Sequence, residues 1–181
     1  MAETNEILDV LIRAAHTSGM ATSCTAVTIR PLDGPRDAAA FRTLNEEWIV
    51  RHFALEDEDR RQLGDPVGAY VAPGGQVLMA HHDGRAVGCV AVVPVGAGAW
   101  EVSKMAVAPE HRGHGTGRRL LQAAIAWARE RGATSLVLGS STDLEPAVRL
   151  YESVGFAHVP PETLHMPYAR ATVWMRLALD A

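Results

Sequence analysis

The turn between a predicted strand and a predicted helix carries the strongest chemical signal in this sequence. It reads Arg112-Gly113-His114-Gly115-Thr116-Gly117 and leads directly into an apolar helical pattern. Glycine permits positive φ and close approach of a ligand to the backbone, and the first N–H groups of a helix have no partner within the helix. Because the helix dipole adds about half a positive charge at that end, the turn is predicted to bind a pyrophosphate.

The spacing of the glycines separates this turn from other phosphate-binding turns. A P-loop requires Gly-Lys-Ser/Thr, and no lysine follows a glycine in this chain. The dinucleotide-binding fingerprint requires G-x-G-x-x-G, whereas Gly113, Gly115 and Gly117 run G-x-G-x-G. The sequence therefore argues against both classes of nucleotide-binding enzyme. The pattern that fits is R-x-x-G-x-G, beginning at Arg112.

Two sequence blocks resemble the GNAT N-acetyltransferase superfamily. R-x-x-G-x-G resembles its acetyl-CoA signature, and the stretch from Ala147 to Phe156 resembles its A-x-x-L-Y-x-x-x-G-F element. The strand E-V-S-K-M-A-V and the Tyr168-Ala-Arg170 tail resemble a bacterial subgroup. The resemblance covers about residues 26–179.

The resemblance implies an α/β fold, classed as α+β in some schemes. Its mixed central sheet would have an antiparallel N-terminal half, a parallel crossover, helices on both faces and two splayed central strands. In the family, the pantetheine arm of acetyl-CoA, the co-substrate, enters between those strands. The residues that the resemblance assigns to the cofactor are Met105, Ala106, Val107, Arg112, Gly113, His114, Gly115, Thr116, Gly117, Arg118 and Ser141.

Glu101 is the candidate general base. An amine with a pKa of about 10.4 is neutral in only about one molecule in 2,500 at pH 7, a handicap of roughly 4.6 kcal/mol, so a nearby carboxylate that accepts the proton helps the attack. Related sequences with this strand motif carry a glutamate at the same place. The alternatives are that Glu101 faces solvent or pairs with Lys104. The histidines that compete as bases are His81, His82, His111 and His114.

Tyr151 is the candidate partner of the leaving group. The resemblance places its hydroxyl beside the CoA sulfur, and a thiolate with a pKa near 8.5 is already tolerable at neutral pH. A hydrogen bond to the developing thiolate is as plausible as full proton donation, and the alternative is a core aromatic residue. The expected acceptor-site residues are Trp48, Phe53, Glu56, Tyr168 and Arg170. Acidic residues on the two helices near positions 46–59 are either helix caps or readers of a cationic acceptor.

Composition limits the function classes. The chain has 181 residues, 48% of them hydrophobic, and a net charge of −4, which argues against non-specific nucleic-acid binding. Cys24 and Cys89 are far apart, as in a reduced cytoplasmic protein. No apolar run is long enough to span a bilayer. His111 and His114 lack further zinc ligands, so no metal site is expected.

Residues 1–25 are predicted to form an N-terminal helical arm or a flexible extension, and residues 26–181 are predicted to form one domain. The arm is interpreted either as a homodimer contact or as a segment docked on its own domain. Strands are expected at 25–32, 76–81, 85–95, 99–107, 135–139, 157–159 and 171–179. Helices are expected from about Asp37, from Glu56 to before Gly64, and at 117–131 and 145–154.

Two function classes follow from these patterns. The first is an acetyl-CoA-dependent N-acetyltransferase that moves an acetyl group to a primary amine of a small molecule or peptide, by direct attack in a ternary complex. The second is a non-catalytic acyl-CoA-binding or sensor module with the same fold. The presence of both Glu101 and Tyr151 favours the enzyme, because a pure binding module needs neither side chain.

Overall fold

A computed structural model describes residues 26–163 and 170–179. The predicted N-terminal arm, Cys24 and Tyr168 lie outside the described residues. The helices are α1 (Gly34–His52), α2 (Asp57–Gly64), α3 (Thr116–Glu130) and α4 (Glu145–Ser153). The strands are β1 (Thr28–Pro31), β2 (Gln76–His82), β3 (Arg85–Gly96), β4 (Ala99–Val107), β5 (Ser135–Ser140), β6 (Ala157–His158) and β7 (Val173–Ala178).

The strands form one mixed sheet in the order β1-β2-β3-β4-β5-β7-β6 within the described ranges. β2, β3 and β4 are a meander, and its first hairpin turns at Asp83 and Gly84, whose φ values of 50° and 73° match the twist of a tight hairpin. α3 crosses over the sheet, so β5 pairs parallel to β4, and the remaining pairs are antiparallel. The predicted mixed sheet is confirmed.

Helices cover both faces of this sheet, because apolar side chains of its strands point to both faces. In β2, Leu78 and Ala80 pack on the face that carries α3 and α4, whereas Val77 and Met79 pack on the face that carries α1 and α2. Neighbouring side chains of a strand point to opposite faces, so a strand buried on both sides is apolar throughout. None of the described helices is long and apolar enough to cross a membrane.

A β-bulge in β4 changes the face of the sheet to which the side chains after it point. Cys89 pairs with Ala106 and Ala91 pairs with Ser103, so β4 places two residues opposite the single Val90. Lys104, the first of the two, has a φ of 50°. An extra residue exchanges the two faces of a strand. Consequently Lys104 points toward α2 instead of joining Trp100 and Val102 in the core beneath α3.

Several predicted boundaries were wrong. α1 begins at Gly34, three residues before the predicted start at Asp37, because Pro35 suits the first turn and the Asp37 side chain accepts the N–H of Asp33 at 2.9 Å. The last strand is shorter than predicted and begins at Val173. A π-helical turn at Val67–Val71 was not predicted from the sequence.

Candidate active site

A cavity of about 500 Å³ opens where β4 and β5 separate. Their ladder covers only Ala99–Glu101 against Ser135–Val137, although β4 continues to Val107 and β5 to Ser140. Beyond that point the two parallel strands diverge, and residues from both strands line the opening. The predicted splay of the central strands is present, and it creates a slot bordered by strand backbone.

The glycine turn lies at one end of this cavity. Gly113 and Gly115 have φ values of 75° and 81°, and a β-carbon built on either glycine would meet no atom within 4 Å. Gly115 precedes α3 directly, so the first N–H groups of that helix face the open side of the turn. Arg112 is held beside them by a 2.8 Å hydrogen bond from its Nε to the Val107 carbonyl. Open space, helix N–H groups and arginine together suit an anionic ligand.

Most of the predicted cofactor residues line the cavity. The side chain of Ala106, for which the resemblance assigns only the backbone amide, points from β4 into the core below α1, and His114 is exposed on the turn. Gly117 lies in the first turn of α3 near α4, where a β-carbon would come within 3.5 Å of the Leu150 side chain, an ordinary van der Waals distance. The lining residues predicted from sequence are Met105, Val107, Arg112, Gly113, Gly115, Thr116, Gly117, Arg118 and Ser141.

Glu101 is half-buried and lines the cavity at the point where the β4–β5 ladder ends. Burial raises the pKa of its carboxyl group above the ordinary value, and the positive charge of Lys104 opposes that rise. The sequence left open a direct pair between Glu101 and Lys104. The Lys104 ammonium group is instead 2.8 Å from an oxygen of Asp59. A half-buried carboxylate with a raised pKa suits a proton acceptor.

Tyr151 lines the opposite wall of the cavity, on α4. Its ring packs edge-on against Phe156, with the centroids 6.0 Å apart. Burial raises the pKa of the Tyr151 hydroxyl to about 12. The residue is therefore both a core aromatic and a cavity residue, and the two interpretations of its role are compatible.

A buried ion cluster lies beside Glu101. The Asp59 side chain is fully buried and binds both Lys104, at 2.8 Å, and Arg170, at 2.7 and 2.8 Å. Arg170 also donates to Glu56 at 2.9 Å. Burial alone would raise the pKa of Asp59, but the hydrogen bonds from Arg170 and Lys104 outweigh it and lower that pKa. Burial lowers the pKa of Lys104, and Asp59 opposes this shift.

The acceptor-site candidates divide between the cavity wall and this ion cluster. Trp48, Phe53 and Arg170 line the cavity. Glu56 accepts a hydrogen bond from Arg170 and is not among the described lining residues. Asp59 was missed as a site residue. Asp59 is one of several acidic residues at the start of α2, and nothing in the local sequence distinguishes it from its neighbours.

The four histidines considered as bases are not among the described residues that line the cavity. His81 lies 3.1 Å from both Asp37 and Arg30, away from the slot. The rings of His82 and His111 meet edge to face, with their centroids 5.0 Å apart. Glu101 is thus the candidate base that the geometry favours.

Comparisons with known proteins agree with this arrangement. The profile of the Acetyltransferase (GNAT) family matches residues 38–156. An uncharacterized N-acetyltransferase of Schizosaccharomyces pombe is 34% identical over 159 residues, which cover 85% of this chain and 96% of that protein. A mycothiol acetyltransferase of Thermobispora bispora is 36% identical over 142 residues, but the match covers 72% of this chain and 46% of that protein.

Among solved structures, YncA of Salmonella typhimurium, a putative acetyltransferase crystallised with acetyl-CoA, is 28% identical with a TM-score of 0.67. That match covers 87% of this chain and 96% of the YncA chain. A GNAT-family acetyltransferase of Staphylococcus aureus shares the fold at 18% identity, with a TM-score of 0.75 and 86% and 100% of the two chains covered. The family profile spans most of the chain and the full-length yeast relative agrees with it, so this chain belongs to the GNAT acetyltransferase family.

Proposed function

We propose that this acetyltransferase moves the acetyl group of acetyl-CoA to a primary amine of a small molecule or peptide, by direct attack in a ternary complex. One observation carries the proposal. The slot between β4 and β5 joins the glycine turn at the start of α3 to Glu101 and Tyr151 in a single cavity.

The described residues fit acetyl-CoA. The turn at Gly113 and Gly115, the N-terminus of α3, Arg112 and Arg118 would hold the pyrophosphate. The separating ends of β4 and β5 would border the pantetheine arm. When bound, the thioester supplies an activated acetyl group and a thiolate leaving group.

Glu101 would accept the proton that the amine loses during the attack. A base gains efficiency when its pKa lies nearer the operating pH, and burial moves Glu101 in that direction. Its position at the end of the β4–β5 ladder supports this role, because the slot begins there. The proton would pass directly or through one water molecule.

Tyr151 would stabilise the departing sulfur by hydrogen bonding. With its pKa at about 12, complete proton transfer to a thiolate of pKa about 8.5 is uphill by roughly 5 kcal/mol. A hydrogen bond to the developing negative charge carries no such penalty. The structure therefore favours hydrogen bonding over full acid catalysis by Tyr151.

Direct attack is favoured over an acetylated enzyme. Cys89 is the one cysteine among the described residues, and it lies on β3, fully buried on the face that packs against α1, with a pKa that burial raises to about 12. A thiol in that state is a poor nucleophile at neutral pH. It also lies outside the group of residues that line the cavity.

Initial rates measured across a grid of acetyl-CoA and amine concentrations test the proposal. A ternary complex predicts reciprocal plots that intersect, and an acetylated enzyme predicts parallel lines. If acetyl-CoA binds but no amine in a broad panel releases free thiol, the non-catalytic acyl-CoA-binding module becomes the better description.

A further inference from the structure

One wall of the cavity beside the ion cluster is apolar and aromatic. Trp48 and Ile49 of α1 and Phe53 just after it line the cavity, and the Trp48 and Phe53 ring centroids are 6.2 Å apart. The Phe53 ring also lies 5.9 Å from the Arg170 guanidinium carbon, which places this wall next to the cluster that neighbours Glu101. An acceptor whose amine meets Glu101 would therefore rest its body against aromatic rings.

Among the described residues, the fixed charges at this end of the cavity nearly cancel. Lys104 and Arg170 line the cavity. Lys104 binds the carboxylate of Asp59, and Arg170 binds those of Asp59 and Glu56; neither carboxylate is among the described lining residues. Two cations thus face two carboxylates. Among the described lining residues, Glu101 is the only carboxylate, so its single negative charge is the one that a cationic group of the acceptor would match.

This balance discriminates between acceptor classes. One ammonium group matches Glu101. A second ammonium group on the same molecule would face Lys104 or Arg170, and a like charge in such a site is unfavourable. A carboxylate on the acceptor would meet Glu101 and would compete with Asp59 and Glu56 for cations that they already bind.

We propose that the acceptor is an arylalkyl monoamine, that is, a primary amine with an aromatic body and no second charged group. The inference rests on the proposed amine acetylation and adds the substrate class. The apolar wall would bind the aromatic body, and Glu101 would bind the amine. Polyamines and free amino acids are disfavoured by the same charges.

Three acceptors of similar size test the substrate class by release of free thiol from acetyl-CoA: 2-phenylethylamine, cadaverine and phenylalanine. The expected kcat/KM for 2-phenylethylamine is at least about tenfold above either of the others, a ratio within reach of a hydrophobic pocket. A higher kcat/KM for cadaverine or phenylalanine would overturn the inference while leaving amine acetylation intact. Thiol release with none of the three, when another primary amine is acetylated, would also overturn the inference, whereas no release with any amine of a broad panel, despite binding of acetyl-CoA, would refute the proposed function itself.

Substitutions on α1 and just after it test the binding wall. Phe53→Ala should raise KM for 2-phenylethylamine about tenfold and leave the Kd of acetyl-CoA unchanged, and Phe53→Leu should recover part of the loss. Val50→Ala, at a side chain 67% exposed on the same helix, is the matched control and should change neither constant. If Phe53→Ala leaves KM for 2-phenylethylamine unchanged, the apolar wall does not select the acceptor and the inference fails.

Discussion

Replacing Asp59 with asparagine should destabilise the protein more than any change at a surface acid. Asp59 is fully buried, and its two oxygens accept hydrogen bonds from Lys104, from both terminal nitrogens of Arg170 and from the Glu56 N–H. Asparagine keeps the shape but removes the charge and directs an NH₂ group at one of these donors. The buried Lys104 and the half-buried Arg170, which keeps its bond to Glu56, would then lose the carboxylate that they share.

The magnitude follows from this geometry. Removing one partner of a buried ion pair costs about 3–5 kcal/mol, because an uncompensated charge stays buried. For a chain of this size each kcal/mol lowers Tm by about 2–4 °C, so Asp59→Asn should lower Tm by about 6–20 °C at pH 7. Thermal unfolding monitored by circular dichroism measures this shift.

The pH dependence has a definite sign. The pKa of Asp59 in the folded protein lies below the ordinary value of 3.8, so its contribution to stability is present above that value and is lost as the pH falls through the folded-state pKa. The difference in Tm between wild type and Asp59→Asn should therefore be constant from pH 7 to about pH 5 and should narrow with further acidification.

Glu58→Gln is the matched control on the same helix. Glu58 pairs with Arg61 in a partly exposed i,i+3 pair, and such pairs contribute about 0–1 kcal/mol. Its loss should lower Tm by a few degrees at most. If Asp59→Asn costs no more than Glu58→Gln at pH 7, or if its effect is the same at pH 3 and pH 7, the assigned ion cluster is wrong.

Two further predictions concern the cofactor side of the cavity. Acetyl-CoA at 100 times its Kd should add about 2.7 kcal/mol to the free energy of unfolding and so raise Tm. Gly115→Glu should abolish this rise in Tm. Gly84→Glu is the matched control, because Gly84 lies at an open position of a distant hairpin with a similar φ of 73° and the substitution carries the same backbone strain. This variant should keep the rise in Tm. An equal rise in both variants would contradict the assigned turn. Tyr151→Phe should lower kcat by about tenfold to a hundredfold at every pH tested, because it removes a hydrogen bond and not a titrating acid. Stopped-flow or steady-state thiol release measures this, and a loss that disappears at high pH, where the thiolate leaves without a proton, would point to acid catalysis instead.

The local features of the site could be predicted from the sequence. Glycines with positive φ at 113 and 115 and a helix starting at Thr116 depend on residues a few positions apart, so the pattern contains the needed information. The change from an antiparallel meander to a parallel crossover follows from turn and helix lengths in the same way. These features define the cofactor side of the cavity.

The ion cluster on the acceptor side could not be predicted, because it depends on contacts between residues far apart in the sequence. Strict alternation along β4 would put Lys104 on the same face as Trp100 and Val102, and only the bulge opposite Val90 redirects it. Arg170 is 111 residues from its partner Asp59 along the chain. The Asp59 carboxylate caps α2, as it would in an isolated helix, but it is also buried between two cations, and only tertiary structure reveals this second role.

The pH profile of Glu101→Gln tests the central claim most directly, with kcat/KM for a primary amine measured by free-thiol release from pH 6 to pH 10. The account predicts a loss of about a hundredfold or more at pH 7 that narrows at high pH, where the amine loses its proton unaided. The exposed Glu110→Gln should match wild type throughout. Wild-type rates for Glu101→Gln at pH 7, or an equal loss at every pH, would contradict the assignment of Glu101 as the base.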